Sequence, residues 1–135
     1  NGVGAYMATS NLVNASGVIG SEVAAVVGAQ FRDGVAAARF GSSGEALFAF
    51  GATGYGSKRN LVSAVGVIAT DSTNVGTNRT YVAAATFGTS EAIFGYGNTG
   101  SVSSLTNKVS NTGVIASDVA GVGTAREQLA AASLG

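Results

Sequence analysis

Arg79-Thr-Tyr-Val-Ala-Ala-Ala-Thr-Phe-Gly88 has near-copies upstream, Arg32-Asp-Gly-Val-Ala-Ala-Ala-Arg-Phe-Gly41, and downstream, Arg126-Glu-Gln-Leu-Ala-Ala-Ala-Ser-Leu-Gly135. The arginines at 32, 79 and 126 are 47 residues apart, as are the glycines at 41, 88 and 135, so a whole unit recurs. Arrays with such a period bury their apolar faces by stacking neighbours, because no unit has a core of its own. Alanine is the best helix former, and helix competes for this element. The shortness of the run, its ending in Ser or Thr, an aromatic or Leu, and Gly, and the strand signals around it favour a strand.

Two further pieces recur. Asn11-Leu-Val-Asn-Ala-Ser-Gly-Val-Ile-Gly20 aligns with Asn60-Leu-Val-Ser-Ala-Val-Gly-Val-Ile-Ala69 and with Asn107-Lys-Val-Ser-Asn-Thr-Gly-Val-Ile-Ala116. Gly17, Gly66 and Gly113 precede Val-Ile each time, which reads as two short strands around a turn that needs glycine. Glu45-Ala-Leu-Phe-Ala-Phe-Gly51 and Glu91-Ala-Ile-Phe-Gly-Tyr-Gly97 supply a third, aromatic strand. In the last unit the strands are expected near 92–96, 105–110, 113–117 and 128–134, with the alanine-rich element fourth. The chain is therefore read as all-β, a single repeat domain of three four-stranded units at about 1–41, 42–88 and 89–135.

Four strands in about 47 residues match a β-propeller blade. The order of elements resembles the kelch repeat: Val75-Gly-Thr-Asn-Arg79 with Val82-Ala-Ala-Ala85 running on to Glu91-Ala-Ile-Phe-Gly-Tyr-Gly97, and Val122-Gly-Thr-Ala-Arg126 with Leu129-Ala-Ala-Ala132. The family's paired glycines are Gly-Tyr-Gly or Ala-Phe-Gly here, and its tryptophan is missing, since the chain has none. The Phe-Gly-Tyr-Gly and Asn-Thr-Gly-Val-Ile strings also resemble Gly/Ala/Thr-rich repeats of environmental and phage-associated proteins. The resemblance implies a scaffold used for binding, not a catalytic site. Propellers close with four to eight blades, so three would be completed by oligomerisation. A β-solenoid or a β-sandwich fibre protomer is the alternative architecture.

Composition narrows the function classes. The 135 residues are 46% hydrophobic and only 10% charged, with seven basic and seven acidic side chains. Such a chain has a core but no field to hold a polyanion, so neither nucleic acid nor membrane insertion is expected as a partner mode. Near-zero net charge favours association. With no His and no Cys, imidazole and thiolate chemistry are excluded, no metal or other cofactor is expected, and no triad is supported. The chain is read as no enzyme.

Each arginine (Arg32, Arg79, Arg126) follows an acid (Glu22, Asp71, Asp118) by eight to ten residues, which reads as a recurring structural ion pair. An arginine-lined channel for an anionic ligand is the functional alternative. The pairs Phe48/Phe50 and Phe94/Tyr96 alternate, which puts each pair on one strand face as core. Tyr6 and Tyr55 in glycine-rich surroundings, with Lys58, Arg59 and Asn98 in loops, are the candidate ligand contacts. Asn14 and Asn78 head N-glycosylation sequons. The leading expectation is an extracellular or virion-surface structural protein that self-assembles into an oligomer or filament. The alternative is a propeller-type lectin or adhesin binding glycans through the loops at 52–58 and 98–106.

Overall fold

Runs of alanine, β-branched and aromatic residues of about five, broken by glycine, are too short for stable helices and suit strands. The computed structural model describes residues 9–14, 16–24, 32–51 and 58–133, and these residues are all-β. Nine strands form three antiparallel sheets: β1 (Thr9–Val13) and β2 (Ile19–Ala24); β3 (Ala36–Phe40), β4 (Glu45–Ala49), β5 (Lys58–Val62) and β6 (Ser72–Thr73); and β7 (Ala83–Phe87), β8 (Glu91–Gly95) and β9 (Thr106–Val109). Neighbours in each sheet are neighbours in sequence. Among the described residues the sheets do not close into a barrel or ring.

The alanine-rich element does not close a unit as expected; it opens a sheet. β3 pairs with β4 from Ala36↔Ala49 to Phe40↔Glu45, and β7 with β8 from Ala83↔Gly95 to Phe87↔Glu91. Both hairpins cross the expected boundaries after Gly41 and Gly88. The reason is local: these glycines lie at φ 65° and 59°, so the chain reverses at once onto the Glu-headed segment that follows. The strand expected at 128–134 is absent over the described residues 128–133. The strand expected at 113–117 is reduced to one bridge, Val109↔Ile115, with a second at Thr106↔Val119.

The second and third sheets pack face to face. Ala38, Phe40, Leu47, Ala49 and Phe50 meet Val82, Ala92, Phe94, Val109 and Ile115 in one buried cluster. Each fully buried Leu or Phe in such a cluster contributes about 1.5–3 kcal/mol. The alanines let β3 and β7 approach closely enough for cross-sheet hydrogen bonds. Thr86 Oγ1 donates to Arg39 O at 2.9 Å and the Gly41 N–H to Ser90 O at 2.8 Å.

The expected placement of Phe48 and Phe50 on one face is corrected. Phe50 follows β4 at φ 64°, and this left-handed residue breaks the alternation, turning the ring into the cluster with Leu47 and Ala49 while Phe48 stays outside it. Phe50 stacks at 5.5 Å on Phe94, the rings tilted by 60°. Tyr96 follows β8 in the same conformation, φ 63°.

Candidate functional site

The arginine-acid pattern resolves into a socket built between neighbouring sheets. Arg79 has a fully buried side chain, with its guanidinium 4.6 Å above the Phe50 ring. Its NH1 donates to Asp118 Oδ1 at 3.4 Å, and its NH2 donates to Asn107 Oδ1. Asn107 Nδ2 donates to Asp118 Oδ1 at 2.8 Å and to Ala116 O at 3.0 Å. Asp118 Oδ2 accepts the Thr77 N–H at 2.9 Å and its hydroxyl at 2.7 Å. Gly76 lies at φ 93°, where a Cβ would collide with the Asp118 carboxylate and sit 2.8 Å from Asn107 Nδ2. The glycine of Val75-Gly76 thus has a steric cause.

Burial pulls the Arg79 pKa below its ordinary value, against the pull of Asp118. Burial alone would raise the Asp118 pKa, but the hydrogen bonds from Thr77 and Asn107, with the charge of Arg79, outweigh it and hold the carboxyl below its usual range.

The expected partner is corrected. Arg79 pairs with the acid 39 residues downstream, not with Asp71 eight residues upstream. Stacked sheets bring residues of consecutive units together, whereas a residue eight positions away lies along the same extended run. Arg32 repeats the arrangement one unit earlier: NH2 donates to Asn60 Oδ1, NH1 to Lys58 O at 2.7 Å, and Asn60 Nδ2 to Asp71 Oδ1 at 2.7 Å and to Ala69 O at 3.1 Å. Burial lowers the Arg32 pKa, with the charge of Asp71 opposing. Among the described residues Arg126 has neither an amide nor a carboxylate side chain as partner. Its guanidinium stacks 4.6 Å over Tyr96 and donates to the Tyr96 hydroxyl at 3.2 Å, in an exposed position.

Asn60 and Asn107 went unassigned a role in the sequence, although a signal was present: Asn11, Asn60 and Asn107 each stand 11 residues before Glu22, Asp71 and Asp118. Asn11 pairs across strands with Glu22, and its Nδ2 donates to Gly20 O at 3.0 Å, as its two counterparts donate to Ala69 O and Ala116 O.

The other candidate residues lie elsewhere. Tyr6 and Tyr55 are outside the described residues. Lys58 and Arg59 open β5 instead of sitting in a loop, and Arg59 donates to Ser72 Oγ and Gly113 O, both at 3.3 Å. Asn98 Oδ1 accepts the Gly100 N–H at 2.6 Å while its backbone bridges Thr80, so it shapes its turn. Asn14 Oδ1 likewise accepts the N–H groups of Ser16 and Val18 in the β1–β2 turn. Asn14 and Asn78 are both exposed.

An arginine buried between sheets does not present its charge to a diffusing ligand, so the geometry at Arg79 acts as a clamp between neighbouring parts of the fold. Among the described residues no three His, Cys, Asp or Glu side chains gather to hold a metal. No protein-family model and no curated protein matches the chain.

Proposed function

We propose that this chain is a non-enzymatic structural protein whose blade-like, kelch-type β units are completed by oligomerisation, forming an extracellular or virion-associated oligomer or filament. The supporting observation is a set of aliphatic side chains exposed at corresponding positions of the repeat. Val18, Val67 and Val114, each following the turn glycine of its segment, are 59%, 64% and 57% exposed. Aliphatic side chains left in water at the same place in each unit are apolar surface that association would remove from water. With seven charges of each sign, the surface offers little colloidal repulsion to oppose association.

Sedimentation velocity over a hundredfold concentration range tests the reading. Growth from the 13.1 kDa chain to larger species is expected. A single species of that mass throughout would overturn it.

A further inference from the structure

The clamp fixes the shape of a motif that it does not itself use. Asn78-Arg79-Thr80 matches the N-glycosylation sequon, and this element carries the sequon in the middle unit alone, since the corresponding triplets read Phe31-Arg-Asp33 and Ala125-Arg-Glu127. The Thr77 N–H and hydroxyl and the Arg79 guanidinium all bind Asp118, so the residues on either side of Asn78 are drawn into the socket. Successive side chains of an extended run point to opposite sides. Asn78 accordingly faces solvent, exposed and with no hydrogen bond to its carboxamide among the described residues. Thr80, two residues on, falls on the same side. Its N–H and carbonyl are both paired with Asn98, at 3.0 and 2.9 Å, which holds the sequon extended.

The other sequon, Asn14-Ala15-Ser16, is built differently. Asn14 Oδ1 accepts the Ser16 N–H at 3.0 Å and the Val18 N–H at 2.9 Å, so the carboxamide is itself part of the β1–β2 turn. Presenting that amide to an enzyme in an extended sequon breaks both bonds, whereas the Asn78 amide has none to break.

Resting on the extracellular reading above, we propose that Asn78 is an acceptor site for an N-linked glycan and that Asn14, in the folded chain, is not. The co-reactant is an activated sugar, either a lipid pyrophosphate-linked oligosaccharide or a nucleotide sugar. A bond forms between Asn78 Nδ2 and the anomeric carbon of the sugar while the bond from that carbon to the phosphate oxygen breaks. The phosphate leaves with the electron pair, and the amide gives up one proton. A sugar is bulky and hydrated, and at Asn78 it stands on the side of the chain away from the Asp118 socket, where it displaces no packed side chain.

The test has two arms. In the first, the folded chain is incubated with a soluble N-glycosyltransferase and a nucleotide hexose, and the product is read by intact and peptide mass spectrometry. One hexose is expected on Asn78, at an occupancy at least about tenfold above that of Asn14, whose two turn bonds oppose the transfer. In the second, the chain is secreted from eukaryotic cells behind a cleavable leader and treated with a peptide N-glycosidase. A glycan on Asn78 is expected, lost in Asn78→Gln and in Thr80→Ala and kept in Thr80→Ser, with the urea midpoint unchanged when the glycan is removed. An unmodified Asn78 in either arm, or a folded chain modified at Asn14 in preference to Asn78, overturns the site. Sedimentation of the same samples reads self-association separately. Association without a glycan overturns this site alone, whereas a glycan on a chain that stays monomeric overturns the self-assembling reading and leaves the site standing.

Discussion

Replacing Asp118 by Asn changes almost no volume but removes the only carboxylate in the ion pair with Arg79, which keeps its buried position. At the observed 3.4 Å the attraction is worth about 5 kcal/mol at an effective dielectric constant of about 20. The Asp118 side chain is 22% exposed, which screens part of this. The new amide nitrogen also turns a donor toward donors: toward Asn107 Nδ2 and Arg79 if it replaces Oδ1, or toward the Thr77 N–H if it replaces Oδ2. Breaking a buried pair by removing one partner typically costs about 3–5 kcal/mol, and the partial exposure places Asp118→Asn near the lower end, about 3 kcal/mol. Urea unfolding followed by far-UV circular dichroism, at a concentration low enough for the chain to be monomeric, reads this as a fall in midpoint of about 1.5 M at unchanged slope. Adding Arg79→Met should recover part of the loss, because no unpaired charge is then buried. A cost under about 1 kcal/mol, as for an exposed pair, would refute the buried clamp, and so would strict additivity of the two substitutions.

The folded-state pKa of Asp118 lies below its unfolded value, so its contribution is present above pH ~4 and is lost as pH falls through the folded value. Acid titration of stability should therefore be flat with respect to this group from pH 7 to 5 and fall below about 4, with a smaller fall in Asp118→Asn. Asn107→Ala should cost about 2–3 kcal/mol by stranding Arg79 and the Ala116 carbonyl, whereas Asn11→Ala in the exposed counterpart should cost under about 0.5 kcal/mol in the monomer; equal costs would contradict the socket. Gly113 lies at φ 75° with a Cβ position 2.7 Å from Phe40 Cζ and 3.0 Å from Leu61, while Gly44, at φ 92°, has nothing within 4 Å. Urea titration should give about 3 kcal/mol for Gly113→Ala and about 1 kcal/mol for Gly44→Ala, the difference being the clash.

The strands at β4 and β8 were legible because apolar, aromatic runs follow a Glu and end near glycine, those at β1, β5 and β9 because Asn-Leu-Val or Asn-Lys-Val recurs, and the turns at Gly17, Gly66 and Gly113 because Gly recurs before Val-Ile. All three take positive φ, 76°, 81° and 75°. The order of strands in each sheet was less accessible. Whether an alanine-rich run pairs backward or forward depends on how tightly Gly41 and Gly88 reverse the chain, which composition does not encode. The partner of Arg79 was missed for a related reason: spacing along the sequence favours the acid eight residues away, whereas stacking of sheets joins groups 39 residues apart. Phe50 misled the strand pattern because one left-handed residue after β4 inverts the face of a side chain, and a phenylalanine carries no mark of that conformation. The asparagines were visible as recurring letters, but their role appeared only once Asn107 was seen to hold Arg79, Asp118 and a backbone carbonyl together.

An electron-microscopy or crystallographic map of the assembled chain, at a resolution that shows side chains, tests the central claim most directly. The account predicts copies packed through their β units, with Val18, Val67 and Val114 covered by a neighbour and the Arg79–Asp118 clamp kept inside each copy. Copies that leave these valines in solvent would contradict it.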